Sequence, residues 1–360
     1  MEPTNEKVPL VSVIIPMYNS ARFISQTLES LLYQTMKDFE VVVVDDCSTD
    51  NSIEVVESFM PRFDSIGVKL HIIELSQNTG MPYLPRNVGI HFSRGKYLAF
   101  LDNDDFFTKT AFEELTTLAE KYQADVINMS NFLEIEDGGE NFNSLLALAK
   151  QRINYLYESK TLNLNVTEVP EDIASRIKLW LNNDFKWATW NCFCLRNFWV
   201  ANQIEFPNMP VSDDTLANFA CLCFAKKILL VPNVCYIHRN RIDSISKESL
   251  DAEKFFHRWL RNLILGFKGF EEIMNRISFF NDHPDYRYAV LDWFFKRNTK
   301  DAQHFPKLYK EIHTAELNQF VKKEFHSDEA TFSAYLFNTV NIQKLQIMQL
   351  QQELAKFQKQ

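Results

Sequence analysis

The N-terminal part of the chain alternates strand-like segments with segments whose apolar positions repeat at helical spacing. Four segments have the pattern of strands, at residues 11–15, 39–44, 68–75 and 97–101. Between the first two, Phe23, Ile24 and Leu28 lie on one face of a predicted helix. Strands that alternate with helices in this way predict βαβ units and a mostly parallel sheet.

The predicted strand at 97–101 runs directly into an acidic loop, Asp102-Asn103-Asp104-Asp105. In open α/β sheets, ligands bind outside the carboxyl ends of the strands, so we expect this loop at the mouth of a crevice. Clustered carboxylates repel one another unless a cation lies between them, and oxygen ligands combined with substrate phosphates suit Mg²⁺ or Mn²⁺. The competing interpretation is a solvated turn that caps the next helix.

Polar residues also follow the first two predicted strands. Pro16 is expected to end the first strand, with Asn19 or Ser20 capping the helix after it, and Asp45 and Asp46 follow the second strand. Their recurrence at strand ends is typical of a nucleotide-binding crevice. The sequence has neither a Gly-x-Gly-x-x-Gly motif nor a Gly-Lys-Ser/Thr loop, so phosphates would be bound through a metal.

A second acidic pair, Asp213-Asp214, precedes a predicted helix at residues 215–224. Carboxylates at a helix start are favourable terminal charges, and on local grounds this interpretation competes equally with catalysis. Upstream, the aromatic segment 187–193 has the composition of a strand.

A basic segment, His238-Arg239-Asn240-Arg241, follows two short predicted strands at residues 228–231 and 234–237. Basic side chains at a strand end can meet a diphosphate, although such segments are often surface turns. Residues 134–169 are polar and aperiodic, which suits either an insertion over the site or a surface excursion.

The C-terminal part of the chain has a different character. Apolar residues from Trp259 onward repeat at helical spacing, and several helices are predicted to about residue 337. Apolar-basic patches there could touch an anionic membrane surface, whereas packed helices with solvated lysines are the simpler interpretation. From residue 340, apolar positions recur every three to four residues, which predicts a short coiled coil and a homo-oligomer through this tail.

Composition narrows the class of protein. The net charge of −9 argues against nucleic acid as a partner, because no basic excess exists to neutralise phosphates. The start of the chain is polar, and no apolar run reaches the roughly 18–20 residues that span a bilayer. The six cysteines lack zinc-site spacing and are expected to be free thiols, which favours a cytoplasmic protein, with peripheral contact at the inner face of the cell membrane.

Four motifs in order resemble glycosyltransferase family 2, strongly over residues 11–107 and more weakly to residue 246. They are residues 11–20, residues 41–50, Asn78-Thr79-Gly80 with Arg86-Asn87-Val88-Gly89, and residues 97–105. The resemblance implies the GT-A fold, a mixed, mostly parallel sheet flanked by helices. It also implies transfer of a sugar from a nucleotide-diphospho-sugar with inversion at the anomeric carbon. A UDP-sugar and Mn²⁺ or Mg²⁺ are the favoured donor and cofactor.

The resemblance also implies roles for matching residues. The nucleotide-sugar would be bound by Pro16, Tyr18, Asn19, Asp45, Asp46, Asn78, Arg86, Asp102, Asn103, Arg239 and Arg241. The metal would be bound by Asp102, Asp104 and His238, with Asp104 the better direct ligand. Asp214 or Asp213 would be the general base, although the family commonly has Glu-Asp at this point. Pro85 departs from the family's usual Ala before Arg-Asn but leaves Arg86 in place.

We therefore expect residues 1–125 to bind the nucleotide-sugar, 126–250 to bind the acceptor and carry the base, 251–338 to be helical, and 339–360 to form the coiled coil. The acceptor would be a glycan or a lipid-linked molecule in surface polysaccharide, lipopolysaccharide or capsule synthesis. Two alternatives are a metal-dependent nucleotidyltransferase and an inactive scaffold that acts through its helical tail. The first usually needs a glycine-rich basic loop after strand one, and the intact acidic motifs argue against the second.

Overall fold

The computed structural model describes residues 7–136, 166–241 and 252–300, together with residues 347, 350 and 351. The chain divides into two units. The first comprises Met1–Asn208 with Asp213–Lys247, and the second comprises Met209–Ser212 with Glu248–Gln360. Within the described ranges the first unit is an α/β domain and the second is helical.

Nine strands in the described part of the first unit form one sheet: β1 (Val11–Met17), β2 (Phe39–Asp45), β3 (Lys69–Glu74), β4 (Tyr97–Phe100), β5 (Phe106–Phe107), β6 (Val126–Glu136), β7 (Thr167–Glu168), β8 (Cys192–Leu195) and β9 (Ile228–Asn240). The helices described in this unit are α1 (Ile24–Leu32), α2 (Ser52–Ser65), α3 (Tyr83–Phe92), α4 (Ala111–Tyr122), α5 (Ile173–Leu181), α6 (Arg196–Ala201) and α7 (Asp213–Phe224).

The strand order is β3-β2-β1-β4-β8-β6-β9-β5, with β7 also on β9. Strands β3, β2, β1 and β4 are mutually parallel, β8 is antiparallel to both β4 and β6, and β6 is parallel to β9. The carboxyl ends of β1, β2, β4 and β9 therefore meet at one edge of the sheet. Every residue of β1 and β2 is buried, which explains why their sequences are mostly apolar, and the buried Ser12 and Glu40 are hydrogen-bonded to each other. The predicted α/β fold with a mixed sheet is confirmed.

Pro16 does not end the first strand, as the sequence had suggested. It lies inside β1 and pairs in register with Val44 of β2. Pairing of β1 with β4 stops at Ile14. The backbone of Pro16 that faces the β4 side therefore has no strand partner, and the missing N–H of proline costs no hydrogen bond there. The Pro16 carbonyl on that side instead accepts a hydrogen bond from Asn103 Nδ2 at 3.1 Å.

Other local predictions also need correction. Neither Asn19 nor Ser20 caps α1 with its side chain, because the residue before α1 is Phe23 and no side chain bonds the helix start. The aromatic segment predicted as a strand at residues 187–193 forms a 3₁₀ turn at Thr189–Asn191 and is a strand only from Cys192, where β8 begins. The two short strands predicted near the basic segment are one continuous strand, β9, which has one extra residue at each of two register shifts against β6. The cysteines of both Cys-x-Cys pairs are buried free thiols, as expected.

In the second unit, the described helices are α8 (Ala252–Asn275), α9 (Phe279–Asp282) and α10 (Pro284–Lys300). Helices α8 and α10 pack through Phe270 and Phe294, whose ring centroids lie 5.0 Å apart. A buried hydrogen bond of 2.7 Å from Asn262 Nδ2 to Asn298 Oδ1 joins the same two helices. The helical C-terminal region is thus confirmed to residue 300. Apart from residues 347, 350 and 351, its predicted continuation and the coiled coil lie outside the described residues.

Helix α3 lies close against the sheet because Gly89 has no side chain. A Cβ at this position would come within 2.5 Å of Ile14 Cγ2 and 3.4 Å of Val44 Cγ2. Both contacts are branches of rigid β-branched side chains in central strands. Gly89 is therefore what allows α3 to approach β1 and β2 this closely.

We expect Gly89→Ala to lower the free energy of unfolding by roughly 1–3 kcal/mol, because overpacking a central strand forces backbone shifts. Urea unfolding followed by circular dichroism measures this change. His91→Ala, on the exposed side of the same helix, is the matched control and should stay within about 0.5 kcal/mol of the parent. Equal stability of the two variants would contradict the packing argument.

Candidate active site

The centre of the candidate site is a buried arginine that bridges two carboxylates distant in sequence. Arg86, on α3, donates from one terminal nitrogen to Asp102 Oδ1 at 3.0 Å and from the other to Asp213 Oδ2 at 2.9 Å. Asp102 follows β4, and Asp213 is the first residue of α7. One guanidinium therefore joins the acidic loop (residues 102–105) to the helix that carries the second acidic pair.

The surroundings of Arg86 explain how a charged side chain is tolerated in the interior. Its guanidinium lies 5.3 Å from the centroid of the Phe206 ring, within the range of a cation–π contact. Burial by itself would lower the pKa of Arg86, but the carboxylates of Asp213, Asp102 and Asp214 together raise it. Arg86 thus stays cationic, and both terminal nitrogens are engaged by protein carboxylates.

The acidic loop is held in shape by hydrogen bonds from β1 and β9. Asn103 Nδ2 bonds the Pro16 carbonyl, and Tyr236 OH accepts from the Asp102 backbone N–H at 3.2 Å. The same Tyr236 hydroxyl donates to Asp105 Oδ2 at 2.7 Å, and Arg239 N–H donates to Asp105 Oδ1 at 2.7 Å. Asp105 is therefore a structural residue that anchors the loop, while Asp102 and Asp104 keep more exposed carboxylates.

Asp104 meets a cation from the basic segment. Its Oδ2 lies 3.0 Å from a terminal nitrogen of Arg241, and both side chains are largely buried. Burial and then the charge of Asp102 raise the pKa of Asp104, although Arg241 and Arg239 act in the opposite direction. The basic segment and the acidic loop therefore form one electrostatic unit, as the expected diphosphate site requires.

Arg239 is more deeply buried than a phosphate ligand on an open surface would be. Its guanidinium lies between the rings of Phe23 and Phe106, at 5.0 Å and 4.9 Å from their centroids, and it also bonds Gln26 Oε1. The Arg241 guanidinium lies 4.6 Å from the same Phe23 ring and is more accessible. Of the two arginines, Arg241 is thus the one better exposed to a ligand.

The two carboxylates at the start of α7 occupy different environments. Asp213 is buried and bound to Arg86. Burial is the main cause that raises the pKa of Asp213, and Asp102 adds to it against the opposing effect of Arg86. Asp214 is only half-buried and accepts a 3.3 Å hydrogen bond from Thr215 Oγ1. The geometry therefore separates an anchored carboxylate from a more accessible one.

The predicted nucleotide residues after β1 and β2 form hydrogen bonds within and between the strand-end loops. Asn19 Oδ1 accepts from the Thr49 N–H at 2.8 Å, and Asp45 Oδ2 accepts from the Ser48 N–H at 2.8 Å. Asp46 accepts from the N–H of Thr79 at 3.0 Å. These contacts hold the strand-end loops together as one surface.

Two further predicted nucleotide residues lie at this edge with more solvent exposure. The Tyr18 side chain is 42% exposed. Asn78 is exposed and bonds the Gly80 N–H through Oδ1 at 2.5 Å. Both side chains can therefore reach a ligand in solution more readily than the buried Asp45 and Asp46.

His238 lies apart from the other two predicted metal ligands in its described contacts. Its Nδ1 is 3.6 Å from Glu134 Oε2, and its ring stacks on Trp190 with centroids 5.7 Å apart. Alternation along β9 explains this, because His238 points to the opposite face from Arg239 and Arg241. Its role as a metal ligand remains a prediction.

Several residues that shape the site were not identified from the sequence. Tyr236 fixes the acidic loop, and Phe23 and Phe206 lie against the arginine side chains. Aromatic residues in strands and helices usually occupy core positions. No local feature of the sequence therefore distinguished these three residues from the other aromatic residues of the chain. Only Asp105 had a signal available, as the fourth residue of the acidic loop.

Asp102 and Asp104 fit a divalent cation whose coordination is completed by substrate. Among the described residues, no cluster of three or more His, Cys, Asp or Glu side chains could bind a metal alone. Mg²⁺ and Mn²⁺ typically take one or two carboxylates together with phosphate oxygens. Two mutually repelling carboxylates on one loop, with a raised pKa at Asp104, supply that set.

Comparison with known proteins identifies the domain. The profile described as Glycosyl transferase family 2 matches residues 12–182, which include Arg86 and the acidic loop. This part of the chain is a glycosyl transferase family 2 domain. This assignment agrees with the resemblance carried by the four motifs and decides against the nucleotidyltransferase alternative. The matched region ends before Asp213, so the second acidic pair is placed by the structure.

Relatives of known sequence extend the similarity beyond this domain to most of the chain. The glycosyltransferase GlyG of Streptococcus pneumoniae is 27% identical over 296 residues, which cover 78% of this chain and 89% of GlyG. The uncharacterized glycosyltransferase EpsJ of Bacillus subtilis is 27% identical over 241 residues, which are 67% of this chain. The aligned region covers 64% of EpsJ, so this chain spans less than two thirds of that protein's length.

A third relative is known in sequence and structure. The poly(ribitol-phosphate) beta-N-acetylglucosaminyltransferase TarS of Staphylococcus aureus is 36% identical over 118 residues, which are 32% of this chain and 20% of TarS. The crystal structure of TarS residues 1–349 with UDP-GlcNAc superposes with a TM-score of 0.59 at 22% identity, covering 87% of this chain and 81% of that one. This likeness confirms the GT-A fold. Throughout the described ranges, each helix is too short or too polar to cross a membrane.

We expect Arg86→Leu to lower the free energy of unfolding by roughly 3–5 kcal/mol, because Asp213 would be left buried without its cation. The double variant Arg86→Leu with Asp213→Asn should recover a substantial part of that loss. Urea unfolding of both single variants and the double variant measures the coupling.

Arg62→Leu is the matched control for this cycle. Arg62 pairs with Glu29 on the surface at 3.4 Å, so its loss should cost at most about 1 kcal/mol. If the losses of unfolding free energy caused by Arg86→Leu and Asp213→Asn were strictly additive, the two side chains would not interact and the proposed bridge would be contradicted.

Proposed function

We propose that this protein transfers a sugar from a UDP-sugar to a hydroxyl group of a glycan or lipid-linked acceptor, with inversion at the anomeric carbon. The product would be part of a cell-surface polysaccharide, such as a capsule or lipopolysaccharide. The observation that carries the proposal is the Arg86 bridge, which brings the acidic loop and the Asp213-Asp214 pair into one site. That site lies at the strand ends of a family 2 domain.

The donor assignment rests on the strand-end loops and on TarS. We assign the base and ribose to the loops after β1 and β2, which Asn19 ties together. S. aureus TarS is named as an N-acetylglucosaminyltransferase and has been crystallised with UDP and with UDP-GlcNAc. We carry over UDP as the nucleotide and leave the sugar to experiment.

A divalent cation, Mn²⁺ or Mg²⁺, would be bound by Asp102 and Asp104 together with the donor diphosphate. When bound, it would neutralise charge that develops on the leaving diphosphate. Arg241, 3.0 Å from Asp104, adds a permanent positive charge beside the same carboxylate. Its planar guanidinium suits phosphate oxygens, so it can stabilise the nucleoside diphosphate as it leaves.

We assign the general base to Asp214. The acceptor hydroxyl attacks the anomeric carbon, its proton passes to the Asp214 carboxylate, and the bond from the anomeric carbon to the diphosphate oxygen breaks. The electron pair of that bond leaves with the nucleoside diphosphate. Asp213 has a different task, because Arg86 already binds its carboxylate and fixes the first turn of α7. A single displacement of this kind needs no covalent nucleophile and inverts the anomeric centre.

The experiment that tests this function is a panel of sugar nucleotides incubated with the full-length protein and Mn²⁺ or Mg²⁺, assayed for released nucleotide. We expect one donor to be hydrolysed or transferred, and a chelator to abolish the reaction. Asp104→Ala should weaken cation-dependent donor binding, measured by calorimetry, at least roughly tenfold, because one of two carboxylate ligands is lost.

Asp64→Ala is the matched control for the loss of a carboxylate. Asp64 is a solvated residue of α2, 3.5 Å from Lys69, and its removal should leave donor affinity unchanged. Donor affinity that is equal in Asp104→Ala and the parent would remove Asp104 from the cation site. No binding and no turnover with any donor would favour the inactive scaffold.

We expect Asp214→Asn to bind the donor normally but to lower the transfer rate by about 10²–10⁴-fold, because the proton acceptor is lost. Single-turnover transfer and calorimetry with UDP separate these two effects. Asp214→Glu should restore part of the rate. Retained transfer by Asp214→Asn would exclude it as the base, and Asp213→Asn should instead reduce the stability of the fold.

A further inference from the structure

A cluster of four rings lies on the β6–β9 side of the site and has no part in the mechanism above. We call Phe132, Trp190, Tyr236 and His238 the aromatic cluster. Trp190 stacks on Tyr236, with ring centroids 4.7 Å apart and an interplanar angle of 13°, and on His238, at 5.7 Å and 17°. Phe132 meets Trp190 edge-on at 4.7 Å. Phe132, Trp190 and His238 are at least partly exposed and form an apolar surface over the fully buried Tyr236 ring.

This surface is continuous with the acidic loop. The Tyr236 hydroxyl, at one end of the aromatic cluster, donates to Asp105 and accepts from the Asp102 N–H. Phe132 and His238 lie on adjacent parallel strands, since the neighbouring Glu134 pairs in register with His238. The cluster therefore begins at the loop that would bind the cation and extends away from it.

The far end of the aromatic cluster is open to solvent and has a polar rim. Phe132 is 39% exposed, although its ring contacts both Trp190 and His238. The Glu134 side chain is 51% exposed, and its Oε1 accepts from Asn240 Nδ2 at 3.2 Å. An aromatic surface bordered by carboxylate, amide and imidazole groups matches the chemistry of a pyranose ring, which has an apolar C–H face and a hydroxyl edge.

The position of the aromatic cluster in the sheet identifies which sugar it would meet. The loops assigned to the donor nucleotide follow β1 and β2, and the acidic loop follows β4. Strands β6 and β9, which carry Phe132 and His238, lie on the other side of β4 in the strand order. The cluster thus lies across the acidic loop from the donor side.

We propose that the aromatic cluster binds a pyranose ring of the acceptor, packed against Trp190 and Phe132, with Glu134 at its hydroxyl edge. This inference rests on the proposed function, because an acceptor is needed only for glycosyl transfer.

Saturation-transfer NMR on the full-length protein tests this site, with UDP and Mg²⁺ present. The probes are the methyl β-glycosides of glucose, galactose, N-acetylglucosamine and N-acetylgalactosamine. We expect at least one to bind, with saturation strongest on its ring C–H protons. Trp190→Leu and Phe132→Ser should each weaken that binding about tenfold, while Trp190→Phe, which keeps an aromatic face, should lose much less.

Controls distinguish a failure of this inference from a failure of the proposed function. Phe92→Ser, an equal change at a 58% exposed position at the far end of α3, should leave glycoside binding unchanged. UDP affinity is measured by calorimetry in each variant, and an affinity equal to that of the parent shows that the nucleotide-binding loops are intact. Glycoside binding that is equal in Trp190→Leu, Phe132→Ser and the parent would overturn the inference, as would UDP binding with no glycoside binding. Absence of UDP binding by the parent would overturn the proposed function and this inference together.

Discussion

The buried guanidinium of Arg86 is the constraint on which the site depends. A cation in the interior must be matched by carboxylates, because an uncompensated buried charge costs several kcal/mol. Asp102 and Asp213 supply that match from elements that are otherwise separate in sequence. Satisfying one charge therefore fixes the end of β4 against the start of α7, and Asp214 is positioned as a consequence.

The same rule organises the rest of the acidic loop. Asp104 faces the Arg241 guanidinium, and Asp105 accepts from a tyrosine hydroxyl and a backbone N–H of β9. Each carboxylate thus has a cation or a donor of its own. Burial and the charge of Asp102 still raise the pKa of Asp104, which shows that negative charge on this loop is not fully compensated. A divalent cation bound together with a diphosphate would stabilise that charge.

Aromatic residues make this density of buried charge possible. The Phe206 ring lies against the Arg86 guanidinium, and the Phe23 ring lies against both Arg239 and Arg241. Such faces exclude water without requiring hydrogen bonds, and they attract cations through the ring quadrupole. The 31 phenylalanines of the chain therefore contribute to the site as well as to the core, a division that composition alone does not show.

The sequence by itself determined the order of strands and helices, the α/β class and the local chemistry of the acidic loop. These depend on hydrophobic periodicity and short motifs, which act over a few residues. It misplaced the end of β1 at Pro16, because the outcome depended on where β4 stops pairing. Only the tertiary structure decided that Asp213 is bound by Arg86 while Asp214 remains accessible. That contact joins residues 127 positions apart, and the packing that brings them together is encoded in no local pattern.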